Sequence, residues 1–179
     1  MSHYAAFLRG MNVGGHRLTN DELRAHFAAL GFAEVATFRA SGNVVFAGEA
    51  QPEEAVRERI ERGLEQALGY AVPTFVRTAA EVRAIAAAKP FDERRLRAAG
   101  KLQVGLLAAP APPHAQAEAL ALAGDTDGLA FAGRELYWLP RGGVLGSALD
   151  MSSLARTLGA MTIRTMGTVE QIAAKHFAE

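Results

Sequence analysis

The feature that most restricts the fold of this chain is an order of segments that occurs twice. Residues 4–9 (YAAFLR) read as a short apolar strand that stops at the glycine-rich turn 10–15 (GMNVGG). Thr19 and Glu22 then stand at capping-box spacing, in which each side chain bonds the other's backbone N–H, and open a helix. Leu23, Phe27 and Leu30 form its apolar stripe and Gly31 ends it. Residues 34–40 alternate as a strand does, Ser41-Gly42 turns the chain, and residues 43–47 (NVVFA) form the next strand. Pro52 begins a long helix with Val56, Ile60, Leu64 and Leu68 on one stripe. Gly69 stops it, and residues 72–77 (VPTFVR) supply a fourth strand. The order strand, helix, strand, strand, helix, strand is the split pattern of a ferredoxin-like sandwich.

After a helical bridge over residues 79–99, broken at Lys89-Pro90-Phe91, the order returns. Strands are predicted at 101–108, 127–131, 135–139 and 161–166, with helices at 113–123 and 151–158. A last helix over 168–177 takes Thr168 as its N-cap. No convincing identity links the two copies, so the repeat is one of pattern. An antiparallel sheet with helices on one face leaves its other face needing cover, which a second sheet can supply. The expected fold class is therefore α+β: two tandem ferredoxin-like (βαββαβ) subdomains packed into one compact unit. Residues 1–78 make the first; residues 79–179 hold the bridge, the second subdomain and the terminal helix.

Charge and composition narrow the function classes. Nineteen basic residues balance nineteen acidic ones, which is not the footprint of a protein that coats a polyanion, so nucleic acid is not the expected partner. The absence of cysteine removes disulfide frameworks, thiolate metal sites and cysteine nucleophiles together. No apolar run approaches the ~20 residues of a membrane helix, and no signal peptide is read before the first strand. A cytoplasmic protein without a membrane partner is expected. His3, His26, His114 and His176 are scattered without metal-ligand spacing, so neither metal nor cofactor is expected. Asp125-Thr126-Asp127-Gly128 starts like a calcium loop but lacks the later acidic ligand, and reads as a turn. Ser147, Ser152 and Ser153 fit caps and turns. Tyr137 and Trp138, adjacent on a strand, face opposite sides and fit packing roles.

In the split pattern strands one and two run parallel, with strand three antiparallel between them. The ends of strands one and two then meet the start of strand three at one edge. That edge collects Arg9, Asn12, Gly14, Gly15, Arg39, Ser41, Gly42 and Asn43, while Arg77 falls at the other. Arginines fork onto carboxylate or phosphate, and glycines let backbone N–H groups approach an anion. Opposing this, Asp21 and Glu22 already occupy the favourable end of the following helix dipole. The plainer alternative is turn geometry at the glycines, with Arg9 and Arg39 paired to Glu22 or Glu34. The turn is neither a Walker loop nor a dinucleotide fingerprint. His16, in the same turn, is the one candidate acid or base.

Residues 7–15 (FLRGMNVGG) and 37–46 (TFRASGNVVF) resemble the two signatures of the bacterial domain of unknown function 1697 family, in the same order and near its spacing. Residues 161–169 (MTIRTMGTV) are similar to a third block, with Thr162, Arg164 and Thr168 matching. Thr165, Met166 and Gly167 depart from its usual Asn-Trp-Asn. The resemblance implies a two-subdomain ferredoxin-like α+β protein and brings no established activity, though its signature residues fall within the edge cluster. Three functions compete: a protein binding a small anionic or phosphorylated ligand at that edge, an interaction or oligomerisation module, and an RNA-binding module. The last is the poorest fit, because Tyr4 and Phe7 face opposite sides of strand one and strand three offers only Phe46.

Overall fold

The first repeat runs β1 (Ser2–Leu8), α1 (Asn20–Ala29), β2 (Ala33–Thr37), β3 (Asn43–Gly48), α2 (Glu53–Leu68) and β4 (Thr74–Thr78) in a computed structural model that describes residues 1–39 and 42–179. Its four strands lie in the order β2-β3-β1-β4, with every neighbouring pair antiparallel. This is the expected ferredoxin-like arrangement. Alternate strand residues Tyr4, Ala6, Leu8, Val44, Phe46 and Val76 meet Leu23 and Phe27 of α1 and Val56, Ile60 and Leu64 of α2 in one core. The two-residue strand period and the three-to-four-residue helix period make those sets coincide. Phe46 is central, its ring 5.6 Å from Tyr4, 5.3 Å from Phe27 and 4.5 Å from Phe32. The intervening residues Ala5, Phe7, Val45, Phe75 and Arg77 are buried as well. Burial on both faces is why β1 and β3 read as continuous apolar runs.

The α1 capping box is complete. The Glu22 carboxylate accepts the Thr19 N–H at 2.8 Å, and the Thr19 hydroxyl accepts the Glu22 N–H at 3.2 Å. Thr19→Ala is expected to cost about 0.5 to 2 kcal/mol, read as a shift in the denaturation midpoint at unchanged slope.

Two helices follow, α3 (Ala79–Ala87) and α4 (Glu93–Ala98), and then the second repeat. It comprises β5 (Gln103–Leu107), α5 (Pro113–Ala123), β6 (Gly128–Ala132), β7 (Glu135–Leu139), α6 (Met151–Leu158) and β8 (Met161–Thr165). The sheet order β6-β7-β5-β8, again wholly antiparallel, reproduces the first topology strand for strand. Its core joins Leu107, Leu136, Trp138 and Met161 to Ala115 and Ala119 of α5 and Leu154 of α6. Alanine on the buried face of α5 lets that helix lie close to its neighbours.

The terminal helix corrects one expectation. It runs as α7 (Met166–His176) directly out of β8, so Thr168 is not its N-cap. Instead the Thr165 hydroxyl accepts the Thr168 N–H at 3.2 Å, and the two hydroxyls lie 2.9 Å apart. The strand passes straight into the helix, which starts two residues before the expected position 168. The first repeat does the same: the Thr78 hydroxyl accepts the Glu81 N–H at 3.2 Å as β4 becomes α3. By its internal contacts the chain divides into one unit of Met1–Ala84 with Ile172–Glu179, and a second of Ile85–Gln171.

Candidate functional site

The edge predicted from topology is assembled as the strand registers require. Phe7 stands opposite Asn43, and the Leu8 N–H donates to the Gly42 carbonyl at 2.8 Å, so β1 delivers Arg9 beside the start of β3. Asn43 is buried: its Nδ2 donates to the Phe38 carbonyl at 2.9 Å, and the Phe38 N–H returns a bond of 2.9 Å to Asn43 O. Gly42 has φ +75°, and a Cβ there would lie 3.1 Å from the Leu8 carbonyl oxygen. These two residues shape the edge from within. Ser41 lies outside the described residues.

Gly42→Ala is expected to destabilise by about 1 to 3 kcal/mol, because it adds a backbone clash to an unfavourable φ. Gly14→Ala should cost less. Gly14 also has positive φ (+67°), but a Cβ there meets nothing within 4 Å. Paired thermal melts of the two variants test that difference.

The exposed members lie around the 10–19 loop. Arg9 projects at the end of β1 with its N–H bonded to Pro73 O at 2.9 Å, and among the described residues its guanidinium makes no ion pair or hydrogen bond. Arg39 is exposed past β2 in a left-handed conformation (φ +58°), its guanidinium 5.5 Å from the Phe38 ring. With β3 between them, β1 and β2 are separated by two strand spacings, about 10 Å. Long arginine side chains can converge across that gap. Of the carboxylates offered as partners, Glu22 is bonded to Thr19, and Glu34 to His3 at 3.1 Å.

Within the loop, Asn12 Oδ1 accepts the Leu18 N–H at 2.8 Å and closes the turn, and its Nδ2 meets no acceptor among the described residues. Beyond this closure opens a shallow pocket of about 550 Å³ lined by Asn12, Gly15, His16, Arg17, Leu18 and Thr19. The His16 ring stacks on Tyr70 with centroids 3.8 Å apart, and the Tyr70 hydroxyl donates to Met11 O at 3.0 Å. Arg17 is exposed, and neither its guanidinium nor the N–H groups of Gly14, Gly15 and Arg17 enter any hydrogen bond among the described residues. At the helix end the capping box occupies the Thr19 and Glu22 N–H groups, and the Glu22 carboxyl is held below its ordinary value, chiefly by the Thr19 N–H and next by its hydroxyl.

The family described as Protein of unknown function (DUF1697) has a profile that matches residues 1–137, which include the whole of this edge. The chain belongs to that family. No curated protein matches it. Among solved structures it is similar to SP0830, a conserved bacterial protein from Streptococcus pneumoniae, at 20% identity and a TM-score of 0.70, covering 97% of each chain. That likeness shows the two-subdomain fold and nothing of a ligand.

Arg17 and Tyr70 are members of the site that the sequence alone did not single out. Arg17 sits in a loop without periodicity, and its only available signal was that a second cation follows the glycines. Tyr70 lies after α2 in sequence, and only the tertiary fold brings it beneath His16. Among the described residues no group of histidines and carboxylates could hold a metal ion.

Proposed function

We propose that this edge binds a small anionic or phosphorylated ligand, held by Arg9, Arg39 and Arg17 and by the loop through Asn12, Gly14 and Gly15. The observation that carries the reading is the set of unengaged donors around one shallow pocket. Among the described residues the guanidinium groups of Arg17 and Arg9 and the N–H groups of Gly14 and Gly15 meet no acceptor. Guanidinium and amide donors together favour a ligand with several acceptor oxygens on one group, as carboxylates and phosphates have. Gly42 and Asn43 contribute by shaping the strand start beside the arginines. If chemistry occurs, His16 is the group able to move a proton, and arginine with backbone N–H would stabilise developing negative charge. Phosphorylated metabolites are intracellular, and this reading places the protein in the cytoplasm. The sheet aromatics Tyr4, Phe7 and Phe46 are buried, which supports a small ligand over stacked RNA bases.

Thermal-shift screening against inorganic phosphate, nucleotides, sugar phosphates and dicarboxylates should find a stabilising class. Amide resonances of residues 12–17 should move on titration with it. Stabilisation without movement of those amides places the ligand elsewhere. A screen that yields no stabilising anion removes the reading.

A further inference from the structure

Resting on the anion reading of the edge, we propose that its ligand is a free nucleoside monophosphate. The base stacks on His16, while the phosphate meets Arg17 and the N–H groups of Gly14 and Gly15. The observation that points to a flat aromatic ring is the pair His16 and Tyr70. Their rings are stacked, with centroids 3.8 Å apart and planes 24° from parallel. Tyr70 is half-buried, and its hydroxyl donates to the carbonyl of the buried Met11 at 3.0 Å, so the lower ring is pinned at its far end. The turn holds His16 in place through its N–H, bonded to Val13 O at 3.4 Å. Tyr70 covers one face of the imidazole, yet His16 is exposed and lines the pocket. That exposure therefore belongs to the other face and to the edge of the ring. The result is a fixed aromatic platform, on which a planar ring can stack without first ordering a side chain.

Platform and donors are close enough for one nucleotide to reach both. Arg17 adjoins His16 in the chain, and Gly14 is two residues before it, at most about 7 Å between Cα atoms. The reach from phosphate to base within one nucleotide is of that order. Asn12, on the pocket wall, spends its oxygen on the Leu18 N–H and turns a second donor, Nδ2, toward the ligand's sugar or base. The acids that open α1 are engaged on the helix itself, Glu22 with Thr19 and Asp21 with Arg24. A dicarboxylate or a sugar phosphate would use the donors and leave the platform idle. A strand of RNA needs successive stacking faces along a basic groove, whereas His16 offers one face and the chain has no net charge. Every base has a π-face, so such a platform favours a base without choosing among them, and adenosine monophosphate is a sufficient probe.

The test is calorimetric titration of the full chain with adenosine monophosphate and with ribose phosphate. Wild type is expected to bind adenosine monophosphate about tenfold more tightly than ribose phosphate. His16→Ala should abolish that preference and leave ribose phosphate binding unchanged. His16→Phe, which keeps a flat ring over Tyr70, should retain the preference. Arg17→Ala should weaken both phosphates alike, by about tenfold. If His16 only shapes the loop, His16→Ala weakens both phosphates together and keeps their ratio, which overturns the proposal. Equal affinity for the two phosphates in wild type, with both weakened by Arg17→Ala, overturns it too and leaves the anion site standing. The same holds if neither phosphate binds while another anion does; if no anion binds, site and proposal fall together. Binding of oligoadenylate that tightens with its length would put a nucleic-acid strand on the platform and overturn the free nucleotide.

Discussion

Asp127→Ala is expected to cost about 3 to 5 kcal/mol of unfolding free energy, since hydrogen bonds to a charged group contribute roughly 1.5 to 3 kcal/mol each and an orphaned buried donor costs about 1 to 3. Asp127 is buried at the start of β6 and collects three donors from distant parts of the chain. Trp138 Nε1–H reaches it at 2.7 Å and the Arg141 N–H at 2.9 Å, and the Ser147 hydroxyl completes the set. Ser147 Oγ in turn accepts the Leu149 N–H at 3.1 Å. One carboxylate therefore fixes the whole β7–α6 loop and orients the buried Trp138. Asp127→Asn should cost less, because its remaining oxygen still accepts. Burial alone would raise the Asp127 carboxyl, but the bonds from Ser147, Arg141 and Trp138 outweigh it and hold the group below its ordinary value. A lowered folded value means that this stabilisation is present above the unfolded value of about 3.9 and is lost as pH falls through the folded one. Urea denaturation at neutral pH should show the full difference between wild type and Asp127→Ala. The difference should shrink when the same measurement is made well below about pH 4.

The topology was legible in the sequence because its determinants are local. The capping box of Thr19 and Glu22, the stripe of Val56, Ile60 and Leu64, and the hairpin around Gly133-Arg134 each declare themselves within a few residues. Repetition of the order then left few arrangements of the strands. The Asp127 hub was not legible: the local sequence reads as a turn, and its three partners lie 11, 14 and 20 positions away. The expected strand over 161–166 is one residue too long and the expected helix starts two residues late, because Met166 fits a strand as well as a helix and only the pairing of β8 with β5 ends the strand at Thr165. At the candidate site, strand direction was enough to bring Arg9 and Arg39 to one edge. It could not say that Asn43 turns inward to Phe38 O, nor that the Asn12 oxygen closes its own loop.

Arg9→Ala/Arg39→Ala is the substitution with the largest expected effect on binding. Both arginines are exposed, and surface ion pairs contribute only about 0 to 1 kcal/mol, so the melting temperature should hardly change. Alanine at position 39 meets the same left-handed backbone that Arg39 already adopts at φ +58°, so no new strain is introduced. A charge-assisted bond to an anion contributes roughly 1.5 to 3 kcal/mol. Loss of one should weaken binding by about tenfold or more, and loss of both by on the order of a hundredfold. The most direct measurement is calorimetric titration of wild type and the double variant with whichever anion stabilises wild type most, alongside a melt of each. Unchanged melting with affinity lowered at least about tenfold is the expected result. An unfolded double variant, or a folded one that binds with undiminished affinity, would contradict the assignment of these arginines to a binding site.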